Sequence, residues 1–103
     1  MTRAVRLTEL AEADIAQAQG WYERKRPGLG MRFVARVGEA IGHIAENPLQ
    51  FQVFVADVRR APISRFPYGL FYRVEPDGSV VVACLHPRRD LKIARARAVT
   101  RKP

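Results

Sequence analysis

The sequence predicts a single-domain α+β fold in which an antiparallel helix hairpin covers one face of an antiparallel β-sheet. Two stretches, near residues 9–24 and 29–46, carry apolar residues at helical spacing. Beyond residue 57, three runs rich in β-branched and aromatic residues are separated by two turn signals, the pattern of an antiparallel meander. The 103 residues suit one domain, and a 48% share of apolar residues is enough to bury a core without disulfides or metal. We therefore expect residues 1–103 to form one domain.

The first predicted strand covers Arg3 to Leu7, where polar and apolar residues alternate. The pattern leaves the neighbour of this strand open, and it pairs with either the last or the first strand of the meander. Thr8 is a favourable N-cap for the first helix. Trp21 lies beside the apolar stripe of this helix and is predicted to belong to the core. The stripe itself consists of Ala11, Ile15, Ala18 and Tyr22.

The second helix follows a turn at Pro27-Gly28-Leu29-Gly30 and extends to residue 46. Pro48 ends it, because proline cannot continue a helix. Two amphipathic helices joined by so short a loop form an antiparallel hairpin that covers one sheet face.

The segment 49–57 is too apolar for an exposed loop, since it contains Phe51, Val53 and Phe54. Three interpretations stay open. The segment packs over the helix hairpin, or it starts a strand early, or it forms an apolar patch that a partner covers.

The meander is predicted to consist of strands near 58–66, 68–75 and 79–86, with Pro76-Asp77-Gly78 as the stronger turn. The last strand is apolar on both faces, which indicates a position inside the sheet. The cationic tail, 90–103, is predicted to be either a frayed helix or a flexible segment.

The charge is unevenly distributed along the chain. Residues 1–57 carry seven basic and seven acidic residues, whereas residues 58–103 carry eleven basic and three acidic residues. The whole net charge of +8 therefore comes from the sheet half and the tail. A polarised basic surface of this kind attracts a polyanion or an acidic protein.

Several classes of protein are excluded by what the sequence lacks. It has no glycine-rich phosphate loop, no paired-cysteine metal spacing and no Ser-His-Asp pattern, so we expect no cofactor and no metal. Cys84 is the only cysteine and is predicted to be a buried small hydrophobic residue. The absence of a signal peptide and of a long apolar run favours a cytoplasmic protein that does not interact with a membrane.

The chemistry that remains is that of the arginines, the tyrosines and one of the two histidines, His86. Planar guanidinium groups match phosphate oxygens in pairs. Tyr68 and Tyr72 are able to stack on bases, although packing on a sheet face explains either one. His86 ends the last strand, where it is either a general acid or base in RNA cleavage or a histidine hydrogen-bonded at the sheet edge. The candidate target-binding residues are Arg59, Arg60, Arg73, Arg88 and Arg89.

A set of motifs in a fixed order connects these features. They are Ala13-Asp14-Ile15, Trp21-Tyr22, Asn47-Pro48, Arg59-Arg60, the run from Arg65 to Val74, and His86-Pro87-Arg88-Arg89-Asp90. Together they resemble the RelE/ParE superfamily of toxins from bacterial type II toxin–antitoxin pairs, over nearly the whole chain. The resemblance implies a strand, a helix hairpin and a three-stranded antiparallel meander. It also implies a cognate antitoxin that wraps the toxin and neutralises it.

The superfamily has two functional branches. ParE-like members bind and block DNA gyrase, whereas RelE-like members cut mRNA on the ribosome with a basic cluster, often containing lysine, and a C-terminal Tyr or His. This chain has no lysine between Lys25 and Lys92 and no tyrosine after Tyr72. Its His86-Pro87-Arg88-Arg89 motif is more similar to the ParE-like, or plasmid stabilisation, branch.

The resemblance therefore favours a non-enzymatic toxin that binds gyrase. The alternative is a metal-independent endoribonuclease that acts on the ribosome and mRNA through His86, Arg65 and Arg88. A third reading is a degenerate toxin domain that acts only as a binding partner. For the antitoxin, the unexplained apolar residues Phe51, Val53 and Phe54 are the candidate contacts.

Overall fold

The structure is a computed structural model that describes residues 3–99. Its elements in chain order are β1 (Val5–Leu7), α1 (Glu9–Lys25), α2 (Leu29–Glu46), β2 (Val53–Val55), β3 (Val58–Pro62), β4 (Gly69–Glu75), β5 (Gly78–Leu85) and α3 (Leu91–Val99). The predicted α+β class and the two long helices are confirmed.

The five strands form one mixed sheet in the order β1-β5-β4-β3-β2. β3, β4 and β5 are antiparallel neighbours, as in the predicted meander, while β1 pairs with β5 in parallel. The prediction of a three-stranded antiparallel sheet was therefore incomplete. The position of β5 inside the sheet is confirmed, and the open question about the N-terminal strand is answered by its pairing with β5.

Local hydrogen bonds cap the start of the helix hairpin and fix the loop between its two helices. The Thr8 hydroxyl accepts a hydrogen bond from the Ala11 amide and caps α1. The Glu23 carboxylate accepts from the amides of Gly28 and Gly30, so an acidic group meets the first amides of α2. Gly28 has a φ of 90°, a left-handed conformation that glycine adopts at low cost.

The sheet has a buried core on each face. On the face covered by α1 and α2, aromatic rings from the helices and the β3–β4 turn pack edge to face; they are Tyr22, Phe33, Phe66 and Tyr68. On the other face, Ala94 and Ala98 of α3 belong to a second buried cluster that also contains Phe71 and Val82. The expectation of helices on one face only is thus wrong for α3.

Two segments that the sequence left open have defined places. The segment 49–57 contains a separate edge strand, β2, instead of an early start of β3. Phe51 packs against the core on the helix side, so the interpretation as a packed segment is observed for this residue. Within the tail, Leu91–Val99 is helical, and residues 100–103 lie outside the described part of the chain. Among residues 3–99, no helix is long and apolar enough to cross a membrane.

Candidate target-binding site

The turn between β5 and α3, residues 86–90, is closed by its own hydrogen bonds. The His86 amide donates to Asp90 Oδ2 at 3.1 Å, and the Asp90 amide donates to the His86 carbonyl at 2.9 Å. The amides of Arg88 and Arg89 donate to His86 Nδ1 at 3.2 and 3.1 Å. One imidazole nitrogen thus supports the two residues that carry the basic side chains of this turn.

The role of Nδ1 as an acceptor decides the form of the His86 ring. A neutral imidazole has one acceptor nitrogen and one N–H group, so acceptance at Nδ1 places the proton on Nε2. The ring is half-buried, with its centroid 6.1 Å from that of Tyr68 in an edge-on contact. Of the two sequence interpretations, this geometry is that of a hydrogen-bonded histidine at the sheet edge.

The two arginines of the turn differ in their contacts. Arg89 donates to the Tyr68 hydroxyl at 2.8 Å and to Asp90 at 3.3 Å, and its guanidinium lies 5.7 Å from the centre of the Tyr68 ring. The side chain of Arg88 is exposed and makes no hydrogen bond or ion pair with any residue in the range 3–99. The turn therefore presents one held guanidinium and one that is open to a ligand.

Asp90 is the acidic group that holds Arg89. Burial alone would raise the pKa of this carboxyl, but hydrogen bonds from the Arg89 side chain and the His86 amide outweigh burial and lower the pKa below its usual value. Asp90 stays ionised under ordinary conditions, and its carboxylate stands at the N-terminus of α3, where negative charge is favourable.

A groove of about 450 Å³ adjoins this turn, with walls from α1, β5 and α3. Arg89 and Asp90 stand at one part of its lining. Trp21 and Ile93 line it as well and are 43% and 47% exposed, so its walls include large apolar side chains in contact with water. The prediction that Trp21 belongs to the core is wrong, because the helix turns this ring toward the groove.

An ion pair joins α1 to α3 along the same groove. Asp14 accepts two bonds from the Arg97 guanidinium, at 2.9 and 3.2 Å, and a third from the Cys84 amide at 3.0 Å. Arg97 also donates to the Val82 carbonyl at 2.9 Å. β1 pairs with β5 only as far as Val81, so these two side chains satisfy the β5 edge where β1 has ended.

The other predicted target-binding arginines are spread over the molecule. Arg59 donates to the Phe51 carbonyl at 2.7 Å and thereby fastens the segment before β2. Arg73 is buried and pairs with Asp57 at 3.5 Å, so it is not presented to a target. Arg60 lines a separate groove beside β2.

The predicted antitoxin contacts divide between packing and exposure. Phe51 packs edge-on against Tyr72, and Phe54 packs edge-on against Phe71, on opposite faces of the sheet. Val53 lies between them in sequence and is 48% exposed. All three line the groove beside β2; packing accounts for Phe51 and Phe54, whereas Val53 is exposed.

The residues of the nuclease alternative come from two turns, the one between β3 and β4 and the one at residues 86–90. Arg65 lies in the turn between β3 and β4 and lines a cleft against α2. Within residues 3–99, no hydrogen bond or ion pair joins Arg65 to His86 or Arg88. The base-stacking alternative also lacks an accessible ring, since Tyr68 and Tyr72 are both buried.

Sequence reasoning missed Asp14, Arg97 and Ile93 as site residues. Asp14 carried one usable signal, because it follows the first turn of α1 and lies close to the apolar stripe, where an acidic residue needs a partner. Arg97 carried none, since it stands in a tail whose structure the sequence left open.

Comparison with known proteins agrees with this architecture. Residues 5–91 match the family model of the ParE toxin of the type II toxin–antitoxin system, parDE. No curated protein matches the sequence significantly.

Two solved structures have the same fold. One is a chain of the chromosomal ParDE toxin–antitoxin system from P. aeruginosa, with 18% identity, a TM-score of 0.73, and coverage of 82% of this chain and 96% of that chain. The other is a chain of the RelBE2 toxin–antitoxin complex from Mycobacterium tuberculosis, with 26% identity, a TM-score of 0.60, and coverage of 84% and 99%. Since the family model spans most of the chain, from β1 to the start of α3, this protein belongs to the ParE toxin family of type II toxin–antitoxin systems.

Proposed function

We propose that this toxin acts by binding DNA gyrase and not by cutting RNA, and that a cognate antitoxin neutralises it. The target-binding surface in this proposal is the 86–90 turn with the groove beside it. Arg88 supplies a free positive charge, Arg89 a positioned one, and Trp21 and Ile93 supply apolar area. The ParE family is the basis for naming gyrase and an antitoxin as partners.

The observation that carries the proposal is the use of His86 Nδ1 as an acceptor for two backbone amides. A general base must accept a proton at a free nitrogen, but in this ring Nδ1 is occupied and Nε2 already carries hydrogen. A general acid requires the imidazolium, whose second N–H group would displace the amides of Arg88 and Arg89. Either catalytic role would therefore disrupt the turn that presents the arginines.

A histidine pair of variants separates the two functions. His86→Asn keeps an acceptor oxygen near the position of Nδ1 but removes the titratable ring, whereas His86→Ala removes both. We expect His86→Asn to retain inhibition of gyrase supercoiling. We expect His86→Ala to weaken this inhibition, because the loss of the two hydrogen bonds from the amides of Arg88 and Arg89 destabilises the turn by about 1–2 kcal/mol.

The contrary outcome is equally defined. A nuclease would lose roughly two to four decades of rate in both histidine variants. The proposal would be refuted if the parent protein cuts mRNA on the ribosome and a normally folded His86→Asn variant does not. Arg88→Ala tests the surface charge: its exposed side chain makes no hydrogen bond or ion pair within residues 3–99, so the change should weaken gyrase inhibition with little effect on thermal melting.

A further inference from the structure

A second cleft lies between α2 and the β3–β4 turn, and its lining shares no residue with the groove beside the 86–90 turn. Its volume is about 570 Å³, and its apolar lining residues include Leu29, Phe66 and Pro67, which together are called its apolar floor. Three arginines and one acidic residue line it as well. These charged residues are Arg32, Arg36, Glu39 and Arg65.

The charges of this cleft leave two cations open. Arg36 donates to Glu39 at 3.2 Å, so this pair is internally compensated. Arg32 and Arg65 are exposed, and neither makes an ion pair or a side-chain hydrogen bond within residues 3–99. Glu23, the nearest acidic residue of α1 in sequence, is committed to the amides of Gly28 and Gly30. The cleft therefore combines an apolar floor with uncompensated positive charge.

The backbone at Arg65 is held in a conformation that its side chain disfavours. Its φ is 73°, in the left-handed region that costs a non-glycine residue about 1–2 kcal/mol. The next residue, Phe66, is anchored by ring contacts to Tyr22 and Phe33 at 4.8 and 5.2 Å. Glycine or asparagine would satisfy the turn with less strain, so the arginine at this position indicates a use for its side chain.

We infer that this cleft is a docking site for an acidic amphipathic segment of the antitoxin. The inference rests on the antitoxin partner in the proposed function. One apolar side chain of the segment would occupy the floor at Leu29, Phe66 and Pro67, and its acidic residues would pair with Arg32 and Arg65. Charge complementarity with a net positive, partly apolar cleft favours this occupant. Nucleic acid is disfavoured because the ring of Tyr22, which also lines the cleft, is buried in the aromatic cluster and is not available for stacking.

The site is distinct from the contacts that the sequence suggested. Phe51, Val53 and Phe54 line the groove beside β2, whereas this cleft is formed by α2 and the β3–β4 turn. It is also separate from the lining of the groove beside the 86–90 turn. The proposed contact with the antitoxin therefore uses lining residues that the groove beside the 86–90 turn does not share.

The test uses the full-length toxin and, as the probe, the protein encoded by the reading frame that adjoins the toxin gene, with affinity measured by calorimetry or interferometry. Arg32→Glu combined with Arg65→Glu should weaken the complex by about tenfold or more. The matched control reverses two exposed cations of α3, Lys92→Glu and Arg95→Glu, on the opposite face of the sheet, and should change affinity much less.

A second variant tests the apolar floor without lowering the charge. Ala35 is exposed, lines the cleft and lies on a helix, where arginine is nearly as favourable as alanine. Ala35→Arg should fill the cleft and weaken the complex, although the positive charge of the protein rises. Circular dichroism and thermal melting of each variant confirm folding.

Each other outcome has a defined meaning. If the charge-reversed and cleft-filled variants bind the antitoxin as tightly as the parent, or if the α3 control weakens binding equally, the cleft assignment is wrong. The same follows if Arg32→Glu with Arg65→Glu keeps the antitoxin but loses affinity for a single-stranded RNA oligonucleotide. If the parent itself forms no complex with the adjoining protein, the antitoxin in the proposed function fails, and the cleft inference fails with it.

Discussion

The ion pair between Asp14 and Arg97 should stabilise the fold far more than an ordinary surface pair. Asp14 accepts from Arg97 and from the Cys84 amide, while Arg97 also donates to the Val82 carbonyl. The side chains are only 19% and 11% exposed, for Arg97 and Asp14 in that order. Removing one partner of a buried pair costs about 3–5 kcal/mol, and partial exposure reduces this, so we expect Asp14→Ala to lower the free energy of unfolding by about 2–4 kcal/mol.

The assay is a double-mutant cycle measured by urea denaturation. Asp14→Ala, Arg97→Ala and the double variant give the coupling energy between the two side chains. The chain provides its own control in Arg36 and Glu39, which pair at 3.2 Å with side chains 36% and 52% exposed. We expect a coupling of about 1–3 kcal/mol for the first pair and below about 0.5 kcal/mol for the control. Equal coupling energies for the two pairs would refute the argument that the Asp14–Arg97 pair satisfies the β5 edge and holds α3 against it.

Two further predictions concern pH and buried polar groups. Burial raises the pKa of Tyr72 to about 12 and outweighs the opposing effect of Arg59, so the stability that Tyr72 contributes should be present below pH 10 and lost as the pH rises toward 12. Tyr72→Phe removes the hydrogen bond from the Tyr72 hydroxyl to the Pro48 carbonyl, so it should lower the free energy of unfolding by about 1 kcal/mol at pH 7. It should also flatten the decline of that free energy at alkaline pH, measured by urea denaturation. An unchanged decline would contradict this prediction. The pKa of Asp90 is lower in the folded state than in the unfolded state. The stability that Asp90 contributes should therefore be lost as the pH falls through its pKa in the folded state. Asp90→Asn should lose stability at pH 7 and show a weaker acid transition, and an acid transition of unchanged depth would exclude this role.

The sequence was most informative where the determinants are local. The helix boundaries follow from Thr8 as an N-cap, from the turn at residues 27–30 and from Pro48, all of which act within a few residues of the chain. The strands of the meander follow from residue type and turn signals in the same way. The order of the motifs was sufficient to identify the superfamily, because that resemblance needs no knowledge of side-chain contacts.

What the sequence could not provide depends on distant contacts. The parallel pairing of β1 with β5 joins residues more than 70 positions apart, and alternation identifies a strand without naming its neighbour. α3 was left open because its buried residues are only Ala94 and Ala98, too small for a strong apolar stripe. Arg73 was assigned to target binding and is in fact buried, where it pairs with Asp57 of the turn between β2 and β3.

Part of the positive charge in the basic half of the chain is used inside the fold. Its net charge suggested one cationic surface for a polyanion, but Arg59, Arg73 and Arg97 are held by groups of the protein itself. A loss of toxicity after replacing one of these three would report a change in folding and not a lost contact with a target. The cations that remain open include Arg88 on the turn before α3 and Arg65 in the lining of the cleft beside α2. From the two proposed sites we expect Arg88→Ala to weaken target binding and Arg65→Ala to weaken antitoxin binding, a separation that a change in overall charge cannot produce.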